Sequence, residues 1–289
     1  MQAMGKQQQA ESPTQRIHRT YAELPEGERK AADLILDMPG ELAIWSASEL
    51  AERAKVSNAT VSRLFRRLGY GSYEEARRAA RSMRAVGSPL YLAESAKGAI
   101  QERDFLARHI DIEMKIVEAT LAMVNPLTLD AVAELLTKRR RLRVAGFRNS
   151  YFAAEYARTM LAQFRPGVEM LNAPGQTLAE GIAGVGPGDV VLVIGLRRRP
   201  SSFTDFVRSV TEAGADVVLI ADRSIREAPA VAHYNLSCIV ETPQAVDSYA
   251  GVLALLRLLA LSVLAKLDVQ GRRHLERIET IHEKLSELE

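Results

Sequence analysis

The chain has 289 residues, of which 47% are hydrophobic, enough to bury the cores of two domains without disulfide staples. Its formal net charge of +2 neither indicates nor excludes a nucleic-acid partner. Its single cysteine, Cys238, excludes an internal disulfide, and its place in the apolar run Leu236–Val240 favours a buried core thiol over a reactive one. We therefore expect a reducing, cytoplasmic location.

The N-terminus and one apolar stretch bear on targeting. The first residues are polar and rich in glutamine, with no secretory signal, which predicts a disordered arm over 1–13. The apolar stretch Ala250–Leu267 is interrupted by Arg257 and closed by Lys266, so it lacks the clean apolar length of a membrane span. We expect a helix buried in a core or subunit interface and no membrane partner.

An all-helical domain is predicted over 14–88. Ser46 and Glu49 have the spacing of a capping box, and Ser57 is placed to cap the next helix, which Gly69 is suited to end. The predicted helices are Thr14–Leu24, Glu26–Met38, Ser46–Ala54, Ser57–Leu68 and Ser72–Arg84.

Charge switches sign within this domain. Residues 11–52 carry four basic and nine acidic side chains, a net of −5, whereas residues 53–84 carry nine basic and two acidic ones, a net of +7. A switch of this size over adjacent segments is an electrostatic footprint typical of a nucleic-acid-binding surface.

The segment Ser48–Gly69 has the pattern of a helix-turn-helix centred on Val56–Leu68. Small Ala51 permits a close crossing of two helices, and Val56 is expected to fill the turn between them. The apolar residues at helical spacing along the second helix are Val61, Leu64, Phe65 and Leu68.

The outer face of that second helix carries side chains suited to the major groove of DNA. Arg63 can place two donors on guanine, and Asn58 can bracket adenine. The residues expected to hold phosphates are Lys55, Ser57, Thr60 and Arg66. The full set of candidate DNA contacts is Lys55, Ser57, Asn58, Ala59, Thr60, Ser62, Arg63, Arg66 and Arg67. An ordinary helical hairpin with a basic, solvated face is the alternative.

Residues 89–127 are predicted to be a helical linker, with an amphipathic helix over Ile100–Leu121 and a helix over Leu127–Leu136 capped at Asn125-Pro126.

Beyond this linker, runs of Val, Leu and Ile alternate with helical patterns, which is typical of parallel strands buried on both faces. We predict an α/β domain with a doubly wound parallel sheet over 128–270 and a charged helical tail over 271–289. The predicted strands are Leu142–Phe147, Val168–Leu171, Asp189–Gly195, Asp216–Asp222 and Leu236–Val240. The predicted helices between them are Ser150–Gln163, Thr177–Val185 and Ser202–Ala213.

Three short motifs in the helical domain match a known family: Glu28–Asp33 (ERKAAD), Val56–Arg63 (VSNATVSR) and Leu68–Tyr73 (LGYGSY). On these motifs, residues 14–85 resemble the N-terminal domain of the RpiR (MurR/RpiR) family of transcriptional regulators. Residues 128–267 are similar to that family's sugar isomerase (SIS) domain. The resemblance implies a DNA-binding helix-turn-helix, a domain that senses a phosphosugar or related metabolite, and assembly as a homodimer or homotetramer.

Two ligand loops of the SIS-like domain depart from the usual pattern. The first strand of such domains runs into Gly-x-Gly-x-Ser, and here residues 146–150 read GFRNS, so Arg148 replaces the second glycine. The third strand usually ends in a Ser-x-Ser-Gly-x-Thr phosphate cradle, and here residues 195–202 read GLRRRPSS. The absence of the serine cradle argues against an ordinary sugar phosphate as the ligand of this domain.

Arginines take the place of the missing loop elements near the carboxyl edge of the sheet, where open α/β sheets bind ligands. Guanidinium groups match carboxylates and phosphates, so we expect a small anionic effector, either a sugar phosphate or a carboxylate. The candidate effector contacts are Arg148, Asn149, Ser150, Arg197, Arg198, Arg199, Ser201 and Ser202. The alternative is a structural arginine cluster that pairs with acidic residues of a neighbouring subunit. Thr177 is a further candidate for the crevice, with a helix cap as the equal alternative.

Other charged and glycine-rich segments have simpler explanations. The run Lys138–Arg141 is expected to be a solvated helix end, with a second DNA contact as the alternative. The five histidines show no metal-ligand spacing, and the glycines of Gly181–Gly188 precede a strand, which is typical of a helix exit rather than a nucleotide loop. We predict no metal and no cofactor.

These features together predict a sequence-specific transcriptional regulator, not an enzyme, that binds a pseudo-palindromic operator as a homo-oligomer. A SIS-type isomerase is one alternative, for which Glu241 and His233 are the only candidate bases after the later strands. A non-regulated architectural DNA binder is the other. Glu241 is otherwise expected to be a weak ligand contact or a surface carboxylate.

Overall fold

The computed structural model describes residues 12–85, 104–242 and 246–287. The chain divides into two compact units, one of Met1–Phe105 with Thr242–Asp247 and the other of Leu106–Glu241 with Ser248–Glu289. The first is helical in its described part, and the second is α/β.

The described part of the first unit packs short helices around a small apolar core. The helices are α1 Pro13–Thr20, α2 Glu26–Asp37, α3 Ala47–Arg53, α4 Asn58–Arg67 and α5 Tyr73–Ala85, with single 3-10 turns at Tyr21–Glu23 and Glu41–Ala43. The core side chains that are fully buried include Ile17, Ile35, Leu50, Leu64 and Phe65.

Side-chain caps determine where α3 and α4 begin and end. The Ser46 hydroxyl accepts a hydrogen bond from the Glu49 N–H while the Glu49 carboxylate accepts one from the Ser46 N–H, so the predicted capping box is confirmed. The Ser57 hydroxyl accepts from the Thr60 N–H at 3.1 Å at the start of α4. Gly69 follows α4 with a φ of 82°, the left-handed conformation that glycine adopts without strain.

The second unit is a five-stranded parallel sheet flanked by helices. The strands are β1 Arg141–Gly146, β2 Val168–Met170, β3 Asp189–Gly195, β4 Asp216–Asp222 and β5 Tyr234–Cys238. The helices are α6 Phe105–Ala122, α7 Pro126–Lys138, α8 Asn149–Ala162, α9 Leu178–Ala183, α10 Phe203–Glu212 and α11 Ala250–Leu285, with a 3-10 turn at Ala228–Ala230. The sheet order is β2-β1-β3-β4-β5, with every neighbouring pair parallel.

Helices cover both faces of this sheet, as the prediction of a doubly wound fold requires. On one face, buried residues of α7, α8 and α11 pack against the sheet, and on the other face buried residues of α10 do so with partly buried residues of α9. β3 shows the consequence most clearly, because all seven of its residues are buried.

Two observations bear on the predicted domain bounds. Ser12, which falls in the predicted arm, caps α1 and is buried; the rest of the predicted arm, 1–11, lies outside the described residues. Helix α6 falls in the predicted linker but belongs to the second unit. Its Thr120 is fully buried, and the Thr120 hydroxyl accepts a hydrogen bond from the Ile239 N–H at 3.1 Å. The remaining part of the predicted linker up to 103, with the domain end at 88, lies outside the described residues.

Helix α11 is longer than predicted and is broken at Asp268, where φ is 42° and ψ is −116°. Among the described residues, α11 is the one individual helix that is long and apolar enough to cross a membrane by these two criteria alone. Its first half supplies Val252, Leu255 and Leu259 to the buried core of the second unit, as expected for a core helix. Residues 271–285 of the predicted tail belong to the second half of the same helix, which ends at Leu285.

Candidate functional site

Helices α3 and α4 form the predicted helix-turn-helix. The turn between them is held by the Val56 N–H, which donates to the Ala51 carbonyl oxygen at 2.9 Å, and Lys55 adopts a positive φ of 53° within it. On α4, the inner residues Val61, Leu64 and Phe65 have no exposed surface. This packing fixes which face of α4 remains available to a partner.

The outer face of α4 is exposed and carries no acidic side chain. The predicted contacts that lie exposed on this helix or its preceding turn are Lys55, Ser57, Asn58, Ala59, Ser62, Arg63, Arg66 and Arg67. Thr60 is the exception and a correction: it is only 9% exposed. Its hydroxyl lies 2.9 Å from the Ser57 hydroxyl and accepts a hydrogen bond from Arg63 at 3.1 Å, so it supports these two neighbouring side chains.

A buried carboxylate on α2, Glu28, contacts two of the α4 arginines. Glu28 is 3% exposed. The Arg67 Nε donates to its Oε2 at 2.8 Å, and the Arg63 Nε lies 3.9 Å from its Oε1. The sequence did not predict this role of Glu28, because spacing along one helix gives no signal for a partner on another helix. The only available hint was an acidic residue inside a matched motif, three positions before the buried Ala31.

Arg66 differs from Arg67 in its surroundings. Arg66 is exposed and forms no ion pair with any of the residues the structure describes, whereas Arg67 is fixed by Glu28. Asn58 is also exposed, with one long contact of 3.4 Å from its Nδ2 to the Ser48 hydroxyl. The arrangement leaves Asn58 and Arg66 available to an anionic or polar partner. The side chain of Arg63 is also exposed, and it is held by its contacts with Thr60 and Glu28.

In the second unit, side chains form hydrogen bonds with backbone groups of Gly146 and Leu196 at the carboxyl edge of the sheet. Asn172 donates to the Gly146 carbonyl oxygen at 2.7 Å and accepts from the Gly146 N–H at 3.4 Å. The Ser150 hydroxyl accepts from the Leu196 N–H at 3.0 Å. These N–H groups are therefore not available to cradle a phosphate, and Ser150, which is buried, acts as a link between the ends of β1 and β3.

Close packing explains the glycine that the loop after β1 retains. A Cβ on Gly146 would lie 2.3 Å from the Ser150 carbonyl oxygen, a distance that no side chain tolerates. Helix α8 therefore starts directly against the end of β1, with Asn149 as its first residue. The Asn149 side chain donates to the Tyr249 hydroxyl at 2.9 Å.

The four predicted effector arginines have different surroundings. Arg199 donates to Asp222, to the Gly195 carbonyl oxygen at 2.8 Å and to the Ser224 hydroxyl at 2.9 Å. Asp222 is almost fully buried, so this ion pair gives Arg199 a structural role within the unit. The partner is on the same chain and not on a neighbouring subunit.

The other three arginines are the remaining candidates for an anion. Arg197 is buried, with its Nη1 3.8 Å from the exposed Glu241 carboxylate. Arg148 and Arg198 are exposed and both adopt positive φ, 55° and 62°. Such conformations are strained for non-glycine residues and are enriched at binding sites. The exposed hydroxyls of Ser201 and Ser202 lie just before α10, although neither Ser202 nor another side chain caps that helix.

The candidate isomerase bases are not brought together. The His233 Nδ1 accepts a hydrogen bond from the Val217 N–H at 3.0 Å, at the amino end of β4 and so at the sheet edge opposite to the ligand loops. Glu241 lies past β5 and is exposed. No group of three or more His, Cys, Asp or Glu residues suited to a metal ion occurs within 12–85, 104–242 and 246–287.

The basic run before β1 is used within the unit. Lys138 pairs with Glu134, Arg139 with Asp216 at 2.6 Å, and the last two arginines with the buried Asp189. This favours the solvated, paired helix end over a second DNA contact. Thr177 caps α9 in a capping box with Glu180, the second of the two roles left open for it.

Cys238 is fully buried at the end of β5. Burial in an apolar surrounding, reinforced by the nearby Asp222 charge, raises the pKa of its thiol to about 12. The thiol is therefore protonated and unreactive at neutral pH, as the sequence indicated.

Two family models match the chain. Residues 13–82 match the helix-turn-helix domain of the rpiR family, and residues 135–262 match the SIS domain. The HTH-type transcriptional regulator HexR of Pseudomonas aeruginosa is 25% identical over 272 residues, which cover 91% of this chain and 93% of that protein. An uncharacterized HTH-type transcriptional regulator of Providencia stuartii is 27% identical over 131 residues, covering 44% of this chain and 45% of that protein.

Solved structures share the fold at low sequence identity. The sugar isomerase domain of an RpiR transcription factor from Sphaerobacter thermophilus aligns with a TM-score of 0.58 and 17% identity, over 62% of this chain and 99% of that chain. Vibrio vulnificus NanR, solved in complex with ManNAc-6P, aligns with a TM-score of 0.58 and 16% identity, over 94% of this chain and 98% of that chain.

Proposed function

Because the chain belongs to the RpiR family, with its helix-turn-helix domain ahead of a SIS domain, we propose that it is a transcriptional regulator that binds a specific DNA sequence under the control of a small anionic metabolite. One observation carries the DNA-binding part. Helix α4 has an inner face that is fully buried and an outer face of exposed polar and cationic side chains. A helix held in this way can enter the major groove without unfolding any part of the unit.

Three of the exposed residues of α4 then have distinct roles. Arg63 reads guanine, supported by Thr60 and Glu28, and Asn58 reads a base near the helix start. Arg66 holds a phosphate, as do Lys55 and the N-terminal amides of α4. A homo-oligomer presents two such helices to the half-sites of a pseudo-palindromic operator.

Selection of bound sequences from a random DNA pool, followed by titration of the enriched duplex, tests this function. Arg63→Ala is expected to lose about 1–3 kcal/mol on the enriched duplex and to leave binding to an unrelated duplex almost unchanged. Arg208→Ala, which removes a surface arginine of the other unit, is the matched control. Failure to enrich any sequence, with equal affinity for all duplexes, would overturn the proposal in favour of an architectural DNA binder.

The effector is proposed to be a small anion bound at the carboxyl edge of the sheet, and a carboxylate more than a sugar phosphate. The NanR relative is described in complex with ManNAc-6P, an anionic sugar phosphate. In this chain the Leu196 N–H is already bonded to Ser150. The anion must therefore be met by arginine side chains, and the planar fork of a guanidinium matches a carboxylate in bidentate fashion. We assign this contact to Arg148, Arg197 and Arg198.

Calorimetric titration with a panel of carboxylic acids and sugar phosphates tests the effector site. A binding member of the panel is expected to lose at least tenfold in affinity with Arg148→Ala and with Arg197→Ala, while Arg208→Ala binds as the unaltered protein does. Undiminished binding by both loop variants would show that Arg148 and Arg197 do not contact the effector. A preference for sugar phosphates would keep the site and correct the class of anion.

The remaining functional assignments follow from the same proposal. The protein acts as a non-enzymatic regulator, because His233 lies at the opposite sheet edge and Glu241 has no phosphate cradle beside it. It acts in the cytoplasm, where the DNA is. Aldose–ketose isomerase assays on common sugar phosphates test the enzymatic alternative, and turnover that Glu241→Gln abolishes would restore it.

A further inference from the structure

A cavity opens in the α/β unit at the sheet edge opposite to the proposed effector loops. It has a volume of about 350 Å³ and lies between the end of α8 and the second half of α11. Its apolar wall is formed by Phe164, Pro166 and Leu267. Pro166 precedes β2, whereas Arg148 follows β1, so a strand of roughly 20 Å separates the two sites.

The other wall is a single face of α11. Gln270, Arg273, His274 and Arg277 line it, at the i, i+3, i+4 and i+7 spacing that places side chains on one face of a helix. All four side chains can donate hydrogen bonds, and the lining contains no acidic residue. The His274 ring is held in place by its Nε2, 3.2 Å from the Ala162 carbonyl oxygen at the end of α8.

Among the residues that the structure describes, the two arginines of this wall have no acidic partner of the kind that Lys266 has on the same helix. Within 12–85, 104–242 and 246–287, neither Arg273 nor Arg277 forms an ion pair, although Lys266 on the same helix pairs with Asp130 at 2.7 Å. Like charges one turn apart destabilise a helix. Two such cations beside an apolar wall form a surface that an anion with an apolar group would complement.

We infer that this cavity binds an amphipathic organic anion, a carboxylate or a phosphate monoester that carries a small apolar group. The anionic group lies on Arg273 and Arg277, and the apolar group packs against Phe164 and Leu267. Helix α11 breaks at Asp268, between the apolar wall and the donor face. A ligand that contacts both walls therefore fixes the angle between the two halves of α11.

Calorimetry on the full chain with benzoate and phenyl phosphate tests this site, with inorganic phosphate and benzyl alcohol as probes for charge alone and for the apolar group alone. The amphipathic probes are expected to bind at least tenfold more tightly than either partial probe. Arg273→Ala/Arg277→Ala is expected to abolish that preference. Arg257→Ala/Arg272→Ala removes the same charge from the same helix outside the cavity and is expected to change the affinity by less than twofold.

Three outcomes would overturn the inference. One is unchanged binding by Arg273→Ala/Arg277→Ala, provided that circular dichroism shows the variant folded. The second is equal loss in the control pair, which would indicate unspecific attraction to a basic surface. The third is loss of binding in Arg148→Ala alone, which would assign the probes to the effector loops. Where the amphipathic preference holds, the stronger of benzoate and phenyl phosphate identifies the anionic group.

Discussion

At the scale of single residues, one buried carboxylate separates the arginines of α4 into two kinds. Glu28 is buried and fixes Arg67 at 2.8 Å, while the adjacent Arg66 is exposed and without an ion pair among the described residues. Removing a partner from a buried charge costs more than removing an exposed charge, because the remaining charge has lost both its water and its partner. The same substitution is therefore expected to change the stability of the unit at Arg67 but hardly at Arg66.

The first prediction compares Arg66→Ala with Arg67→Ala. Arg67→Ala is expected to lower the free energy of unfolding of the helical unit by about 1–3 kcal/mol, because it leaves the Glu28 carboxylate unsatisfied. Arg66→Ala is expected to change it by less than about 0.5 kcal/mol, and to lower the salt dependence of DNA binding by roughly one phosphate contact. Urea unfolding and titrations at several salt concentrations measure the two effects. Equal stability of the two variants would contradict the role given to Glu28.

The second prediction concerns Cys238, whose pKa is raised to about 12 by burial. The native protein is expected not to react with a thiol reagent at pH 8, and to react fully once it is unfolded in denaturant.

The protonated Cys238 thiol also makes the free energy of unfolding dependent on pH. Below the ordinary pKa of 9.0 the contribution of the buried thiol is complete, and it is lost as the pH rises towards 12, because the unfolded chain ionises first. Cys238→Ala is expected to lose less stability over this interval. Rapid labelling of the native protein would contradict the burial.

At the scale of elements, the loop between β3 and α10 combines a structural arginine with candidate ligand arginines. Arg199 crosses to Asp222 at the end of β4 and to Ser224 beyond it, which ties two strand ends together. Arg198, the preceding residue, itself adopts a positive φ of 62° and is exposed. Where a SIS domain usually has a serine cradle, this loop has an ion pair from Arg199 to Asp222 and an exposed guanidinium on Arg198.

The third prediction follows from this division of roles. Arg199→Ala is expected to destabilise the α/β unit by about 3 kcal/mol, because it leaves Asp222 buried without its cation. Arg198→Ala is expected to leave thermal unfolding almost unchanged and to weaken effector binding. Differential scanning calorimetry with and without a bound effector separates the two effects. Stability loss in Arg198→Ala, with none in Arg199→Ala, would reverse the assignment.

Sequence patterns predicted most elements, because each one depends on local signals. The bounds of β3 and β4 agree with the apolar runs of the sequence, and the capping boxes at Ser46 and Thr177 follow from spacing within one helix start. Partners across elements carry no local signal. The ion pair from Glu28 to Arg67, the hydrogen bond from Leu196 to Ser150 and the break at Asp268 were therefore not predicted.

At the scale of the whole molecule, α6 carries an exposed apolar face that supports the proposed homo-oligomer. Leu106, Ile110 and Met114 are 69%, 49% and 66% exposed, and their spacing of four residues places them on one face of the helix. A row of large apolar side chains on the surface is typical of a protein interface. We expect this face to be covered by a second copy in the proposed homo-oligomer.

The last prediction joins this interface to DNA binding. Ile110→Asp/Met114→Asp is expected to convert the oligomer into a monomer in light scattering, because burying two new carboxylates in an apolar interface is unfavourable. The affinity for a duplex with two half-sites is then expected to fall by about 10²- to 10⁴-fold, since two linked contacts become one, while the affinity for a single half-site stays unchanged. Leu127→Asp alters an apolar residue that is 81% exposed at the start of α7, outside this face, and serves as the control. A variant that remains oligomeric, or that loses single half-site binding to the same extent, would show that the face of α6 does not hold the DNA-binding units together.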